Sequence, residues 1–114
     1  MSIELLVGKT VAAVRGLEND SYEVFFDCDD GTTFRMFHDQ DCCEIVSVAE
    51  FDGHCGGLVH SATERTEDIQ NPEKDYHGTW TFYVIESERG TLHLRWGGYS
   101  NGYYSEAVSV EITK

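Results

Sequence analysis

Short stretches of this chain alternate apolar with polar positions, which is the period of a β-strand. In residues 22–27 every second position is Tyr, Val or Phe, and in residues 34–37 the apolar Phe34 and Met36 share one face. Asp29-Asp30-Gly31 separates the two stretches, and an Asp-Gly pair tolerates the positive φ of a tight turn. The pattern therefore predicts a β-hairpin.

Most of the remaining chain also has the composition of strands. Several segments are apolar, rich in β-branched residues or alternating: residues 5–8, 10–15, 43–49, 80–86, 92–96 and 107–112. The last three segments predict a meander, with one turn at Glu88–Gly90 and another from Gly97-Gly98 to Asn101-Gly102.

Two regions are expected to be irregular. Residues 51–60 contain three glycines and predict only a short helical turn or a loop. Residues 63–78 lack apolar periodicity, contain the only proline and concentrate five acidic side chains, which predicts a long exposed connection with room for a strand at its start. The predicted fold is therefore mainly β, or α+β at most. One domain over residues 1–114 holds a predominantly antiparallel sheet, curled or closed into a small sandwich or barrel, with at most one short helix.

The composition is that of a small soluble protein. Of the 114 residues, 40% are hydrophobic and 12% aromatic, enough for a small core. No apolar run approaches the roughly 20 residues of a membrane helix, and Met1–Glu4 lacks the basic and apolar segments of a signal peptide. A cytoplasmic location is expected. The four cysteines include no C-x-x-C pair, and we expect reduced thiols.

The charge balance is strongly acidic, with eight basic residues against 21 acidic ones and a formal net charge of −13. Such a surface repels nucleic acid and anionic lipid, so neither direct nucleic-acid binding nor membrane binding is expected. A basic protein surface would be attracted. The alternative is that the acidity only keeps the protein soluble.

The segment His38–Glu44 is a first candidate site, with His38, Gln40 and Asp41 as binding residues. Cysteine and histidine are zinc ligands, and His38 could also activate a neighbouring thiol. The adjacent Cys42 and Cys43 point to opposite faces of an extended chain and do not easily reach one metal, so no metal site is predicted. Nothing in the sequence shows the hydrogen bond that a catalytic thiol requires, so no catalytic residue is predicted. The alternative is a turn held by side-chain to backbone hydrogen bonds, with one cysteine in the core.

A second candidate site lies in residues 95–106, where a cation, aromatic rings, hydroxyl and amide donors and glycines occur together. Aromatic faces stack on a base or on a partner's side chain, and an arginine can hold a phosphate or carboxylate. The predicted binding residues are Arg95, Trp96, Ser100, Asn101, Tyr103 and Tyr104. The alternative is an Asn-Gly turn with Trp96 and one tyrosine in the core.

Three motifs resemble a family of small proteins known as a domain of unknown function, DUF7448. They are H-x-Q-D-C-C-E from His38, T-W-T-F-Y from Thr79 and R-W-x-G-x-S-N-G-Y-Y-S-E from Arg95. The resemblance covers nearly the whole chain except residues 51–78. It implies an accessory protein of bacteriophages or prophages inside a bacterial host, and it brings no activity, cofactor or catalytic residue.

Three functions follow as hypotheses. The first is a non-enzymatic protein that binds and blocks a host macromolecule, such as a defence component. The second is a protein that binds or sequesters a small nucleotide-like ligand through residues 95–106. The third is a metal- or thiol-dependent hydrolase built on His38, Asp41 and Cys42 or Cys43. No cofactor is expected, and a homodimer stays open.

Overall fold

A computed structural model of the chain describes residues 2–41, 43–69, 77–100 and 105–113. They form one 3-10 turn, Ile3–Leu6, followed only by strands. The strands are β1 (Thr10–Arg15), β2 (Glu23–Cys28), β3 (Thr33–Phe37), β4 (Ile45–Gly53), β5 (Gly57–Asp68), β6 (His77–Ser87), β7 (Gly90–Ser100) and β8 (Ser109–Thr113).

The strands make one antiparallel sheet in the order β4-β7-β6-β5-β1-β2-β3-β8. The prediction of a mainly β, antiparallel fold is confirmed. β1 and β5 pair only through Thr10 with Leu58 and Val11 with Gly57, so the sheet turns a corner there. Its two halves face each other across the core, where Trp96 of β7 donates a hydrogen bond from Nε1 to Sδ of Met36 of β3 over 3.0 Å.

The predicted hairpin is confirmed as β2 and β3. Val24 pairs with Met36 and Phe26 with Phe34, and all four side chains are buried. The predicted meander is confirmed for its first two segments, as β6 and β7, whose inward-facing members include Tyr83. Its third segment forms the strand β8, but the meander is wrong there, because β8 pairs with β3 and the other neighbour of β7 is β4. The core therefore lies between the alternate side chains of the two half-sheets, as the period of two requires.

The opening strand predicted over residues 10–15 is confirmed as β1, whereas residues 5–8 do not form a strand, because the 3-10 turn spans Ile3–Leu6. Ser2 caps this turn by accepting a hydrogen bond from the Glu4 amide over 3.2 Å. Ile3 and Leu6, three residues apart, then point together into the core. An i, i+3 spacing over so short a segment is hard to distinguish from a strand.

Both regions expected to be irregular contain strand residues. β4 continues to Gly53 and β5 begins at Gly57, so the loop or helical turn predicted for residues 51–60 is wrong. Residues 63–68 extend β5 and pair with β6, which confirms a strand at the start of residues 63–78, although every side chain among them is exposed. Backbone hydrogen bonds stabilise this stretch, and such bonds leave no apolar period in a sequence. Residues 70–76 of the predicted connection lie outside the described residues.

Gly97 and Gly98 lie inside β7 rather than in the predicted turn. A Cβ atom on Gly97 would lie 2.9 Å from the Trp80 ring, and one on Gly98 would lie 2.9 Å from Cβ of Glu106. Both glycines therefore allow neighbouring side chains to approach the backbone of β7 closely, as glycine in a strand often does. The predicted turn at Asn101-Gly102 lies outside the described residues.

Gly53→Ala is expected to destabilise the protein by about 2–3 kcal/mol, from left-handed strain and overpacking together. Gly53 has φ +82°, and a Cβ atom there would lie 2.0 Å from the Thr91 carbonyl oxygen. Gly8→Ala is the matched control, because Gly8 has φ +88° but open space around it. If urea denaturation gave the two variants equal losses of unfolding free energy, the close contact between β4 and β7 at Gly53 would add no steric cost.

Candidate functional site

The first candidate site is built around the buried carboxylate of Glu44, at the start of β4. Its Oε2 lies 2.8 Å from Nε2 of His38 and accepts the Asp41 backbone amide over 3.0 Å. Gln40 donates from Nε2 to Oε1 of Glu44 over 3.2 Å and to its backbone carbonyl over 2.7 Å. The side chains of Glu44 and His38 are 0% and 4% exposed. All three predicted residues of this segment therefore surround one carboxylate.

The hydrogen bonds of His38 define where its protons lie. Nδ1 is 2.6 Å from the Ala107 carbonyl oxygen, and because a carbonyl only accepts, Nδ1 must donate. Gln40 and the Asp41 amide donate to the Glu44 carboxyl group, which favours its ionised form. Nε2 lies at salt-bridge distance from Oε2 of Glu44, so both ring nitrogens of His38 are engaged within the cluster. Neither ring nitrogen is left to exchange a proton with a substrate.

This cluster brings the two predicted sites into contact. His38 follows β3, and the carbonyl that it bonds belongs to Ala107, immediately after residues 95–106. A polar cavity of about 400 Å³ opens beside the contact. Its lining combines both segments: His38, Asp39, Gln40, Asp41, Glu44, Ser105, Ala107 and Ser109. We call the His38–Glu44–Ala107 arrangement the clamp, because it joins the β3–β4 turn to the chain entering β8.

The cysteines divide between two environments. Cys28 and Cys55 are buried free thiols, and burial raises the pKa of each above its ordinary value. A raised pKa lowers the thiolate fraction at neutral pH, which makes both poor nucleophiles. Cys43 is exposed and disulfide-bonded, so the expectation of reduced thiols is wrong for this residue. That expectation came from the lack of a secretion signal, which says nothing about the position of an individual sulfur. Cys42 lies outside the described residues.

The predicted binding residues of the second segment lie in different environments. Trp96 is 0% exposed and lies in the core, as the alternative interpretation had it. Ser100 is buried and donates a hydrogen bond to Glu106, which also accepts from Thr79 Oγ1 over 2.7 Å. These contacts stabilise the end of β7 and leave Trp96 and Ser100 without access to solvent. Asn101, Tyr103 and Tyr104 lie outside the described residues.

Arg95 has a different environment, on the outer face of β4-β7-β6-β5. Its guanidinium carbon lies 4.3 Å from the centroid of the Trp80 ring, and Nη2 lies 3.1 Å from Oε2 of Glu50. The Nε atom is buried and has no hydrogen-bond partner among the described residues. On β5, two strands away from β7, Arg65 stacks over Phe82 at 4.4 Å and pairs with Glu67.

These side chains line a groove of about 500 Å³ that crosses four strands. Registers place Glu50, Arg95, Phe82 and Arg65 in one row across the sheet. The next row on the same face is Asp52, His93, Val84 and Thr63. We call this surface the outer groove; Trp80 borders it beside Arg95.

Sequence reasoning found Arg95 but missed the rest of the outer groove. The signal was present in β6, where Trp80, Phe82 and Val84 alternate with Thr81 and residues that face the core. A strand that is apolar on both faces needs a covering layer on each face. Among the described residues nothing covers the outer face fully, since Trp80, Phe82 and Val84 are half-buried.

The described residues contain neither a metal-binding cluster nor a membrane-spanning helix. No three His, Cys, Asp or Glu side chains in those ranges converge as metal ligands. The described part of the chain also contains no helix long and apolar enough to cross a membrane.

Comparison with known proteins gives one match. A family model described as a domain of unknown function (DUF7448) matches residues 4–110. The chain belongs to this family. Membership in DUF7448 confirms the resemblance drawn from the motifs at the level of the family, while the phage or prophage setting stays a prediction. No curated protein and no solved structure matches the chain.

Proposed function

We propose that this DUF7448 protein is a non-enzymatic binding protein that occupies a basic surface of a host protein, in the phage or prophage setting that the motifs imply. The outer groove is the observation that carries the proposal. It presents the half-buried side chains of Phe82 and Val84, with Trp80 at its border, on a sheet face that nothing among the described residues covers fully. Blocking a component of host defence is one use of such a protein.

The chemistry of the outer groove suits a protein partner. Tryptophan, phenylalanine and arginine are enriched in protein interfaces, where flat rings bury large areas at low entropic cost. Arg95 and Arg65 are already paired with Glu50 and Glu67, so the two cations add little positive charge. Asp52 then leaves the rim acidic. An apolar centre with an acidic rim matches a partner that offers apolar side chains flanked by lysine or arginine.

The overall charge supports the same partner. A formal charge of −13 on 114 residues attracts basic surfaces at long range and speeds their encounter. Such attraction between exposed charges is screened by salt, since the Debye length falls to roughly 3 Å at about 1 M. Binding of the host protein should therefore weaken as salt is added. Salt-independent binding would contradict the electrostatic part of the proposal.

A small nucleotide-like ligand is the second candidate, and one observation favours it. The buried Nε–H of Arg95 has no acceptor among the described residues, and it lies beside the Trp80 ring. A phosphate oxygen near Nε and a base on an aromatic ring would use both features. Glu50 and Asp52 repel such an anion, which is why a protein partner is preferred.

Phe82→Ala is expected to weaken host-protein binding by about 2 kcal/mol, roughly thirtyfold, as for a central aromatic of an interface. The ring forms the middle of the outer groove and is half-buried before any partner arrives. Quantitative capture from a bacterial host lysate, on immobilised wild-type and variant protein, measures the loss. Tyr22→Ala is the matched control, because Tyr22 is 64% exposed and lies outside the outer groove.

The two candidates give different results in this experiment. A protein captured by wild type and by Tyr22→Ala, but lost with Phe82→Ala and at high salt, supports the proposal. Equal capture by both variants contradicts it. Native mass spectrometry of the gently purified protein tests the second candidate, since a bound nucleotide would appear as added mass that Arg95→Ala removes.

A further inference from the structure

β5 has one edge that is paired along its length and one that is not. On one side it pairs with β6 from Val59 to Asp68. On the other side it pairs with β1 only at Gly57 and Leu58, and Val59 exchanges backbone hydrogen bonds with Gly8 and Lys9. Beyond that point, no strand among the described residues pairs with this edge.

The direction of each amide along this stretch follows from one hydrogen bond. The Ile69 amide donates to the Gly78 carbonyl at the start of β6 over 2.9 Å. Because amides alternate in direction along an extended strand, those of Arg65 and Glu67 also point toward β6. The amides of Glu64 and Thr66 then point away from β6, to the unpaired edge. An added strand would find donors and acceptors there at the normal strand spacing.

The charge on this edge restricts what can pair with it. Thr63–Asp68 are all exposed, and Arg65 pairs with Glu67. Glu64 forms no salt bridge with a lysine or arginine in the described part of the chain, and the charge that acts on it is that of Glu4. Partial desolvation of the carboxyl group, followed by repulsion from Glu4, raises the pKa of Glu64 above its ordinary value. A cation placed opposite Glu64 would relieve this repulsion.

We propose that the free edge of β5, from Glu64 to Thr66, takes an extended lysine- or arginine-containing segment of the partner protein as an added strand. Strand addition uses backbone hydrogen bonds for affinity and alternate side chains for specificity. The inference rests on the proposed function, because it takes the partner to be a protein with a basic surface. It adds the mode of binding and a second contact next to the outer groove, which Arg65 of the same strand lines.

A second copy of the chain fits this edge poorly. An antiparallel pairing centred on Thr66 would set Glu64 of each chain opposite Asp68 of the other. Like charges directly opposite each other destabilise a strand pair. Exposed charges on an edge strand also keep sheets from joining edge to edge. The edge therefore selects an oppositely charged strand over its own sequence.

The test uses a short capped peptide of alternating lysine and valine as the probe, with its dissociation constant measured by fluorescence anisotropy. Thr66→Pro removes one outward amide and leaves the bonds to β6 intact, while Thr66→Ala keeps that amide. The proline variant should raise the dissociation constant about three- to tenfold, the share of one hydrogen bond. The alanine variant should bind like wild type. Methylating alternate backbone nitrogens of the peptide should weaken binding to wild-type protein in the same way.

Two results would overturn strand addition. One is equal binding of the peptide by Thr66→Pro and Thr66→Ala, together with full affinity of the methylated peptide for wild-type protein. If the proline variant unfolds, the comparison of the two peptides decides alone. The other is a wild-type dimer that Thr66→Pro dissociates, which would assign the edge to a second copy. Failure of the proposed function is seen separately, as equal host-protein capture by Phe82→Ala and Tyr22→Ala.

Discussion

Replacing His38 by alanine is expected to lower the free energy of unfolding by about 3–5 kcal/mol, the usual cost of removing one partner of a buried salt bridge. The Glu44 carboxylate is completely buried and would lose its partner. The Ala107 carbonyl would lose its donor at the same time, which loosens the connection into β8. Urea denaturation followed by circular dichroism measures the change.

The control for this prediction is Asp39→Ala, an exposed neighbour in the same turn, which should change the stability by less than about 0.5 kcal/mol. The double variant His38→Ala, Glu44→Ala should lose less than the sum of the single variants, because removing both partners leaves no uncompensated buried charge. Additive losses, or a His38→Ala loss below about 1 kcal/mol, would show that the clamp is not a buried salt bridge.

Trp96→Ala is expected to cost about 3–5 kcal/mol, as for other large-to-small changes in a core. Trp96 is completely buried, and its indole N–H reaches Met36 on the opposite half-sheet. The substitution therefore removes packing that holds the two halves together. Chemical denaturation gives the loss, and intrinsic fluorescence follows the environment of the remaining tryptophan.

Trp80→Ala provides the matched comparison, because Trp80 lies on the outer face and is only half-buried. We expect it to cost about 1 kcal/mol, the typical effect of a substitution outside the core. A ligand-binding role for Trp96 would instead predict a stable Trp96→Ala variant with lost binding. Similar stability losses for the two tryptophans would contradict the assignment of Trp96 to the core.

The sequence predicted the strands in which every second side chain is apolar and buried in the core. The β2–β3 hairpin has this pattern, because Val24, Phe26, Phe34 and Met36 all face one core. Residues 63–68 of β5 lack it, since their side chains are exposed and the strand is stabilised through its backbone. Binary patterning detects the first kind of strand and cannot detect the second.

The candidate site was predictable in its residue types and not in its geometry. The clustering of His38, Gln40 and Glu44 within one turn was visible, but the Ala107 carbonyl that accepts from His38 is remote in sequence. A backbone carbonyl has no signature in the sequence. Without that contact, the free imidazole nitrogen that a catalytic role requires could not be ruled out, and with it both ring nitrogens are engaged.

The outer groove was missed because its parts come from four strands. Arg95 was predicted because residues 95–106 combine a cation with aromatic rings and polar groups. Strand register alone brings Phe82, Arg65 and Glu50 next to it. Register depends on bulges such as the one between Val48 and Glu50, which sets Glu50 opposite Arg95. Bulges of this kind are a property of the assembled sheet.

The most direct test of protein binding at the outer groove and the β5 edge is nuclear magnetic resonance of isotope-labelled protein titrated with fractionated bacterial host lysate. The backbone amides of Glu64, Thr66, Phe82 and Arg95 should shift or broaden, and high salt should reverse the change. Amides of the β2–β3 hairpin should stay unchanged. Perturbations confined to the polar cavity beside the clamp, or no perturbation with any fraction, would contradict a protein-binding role for this face of the sheet.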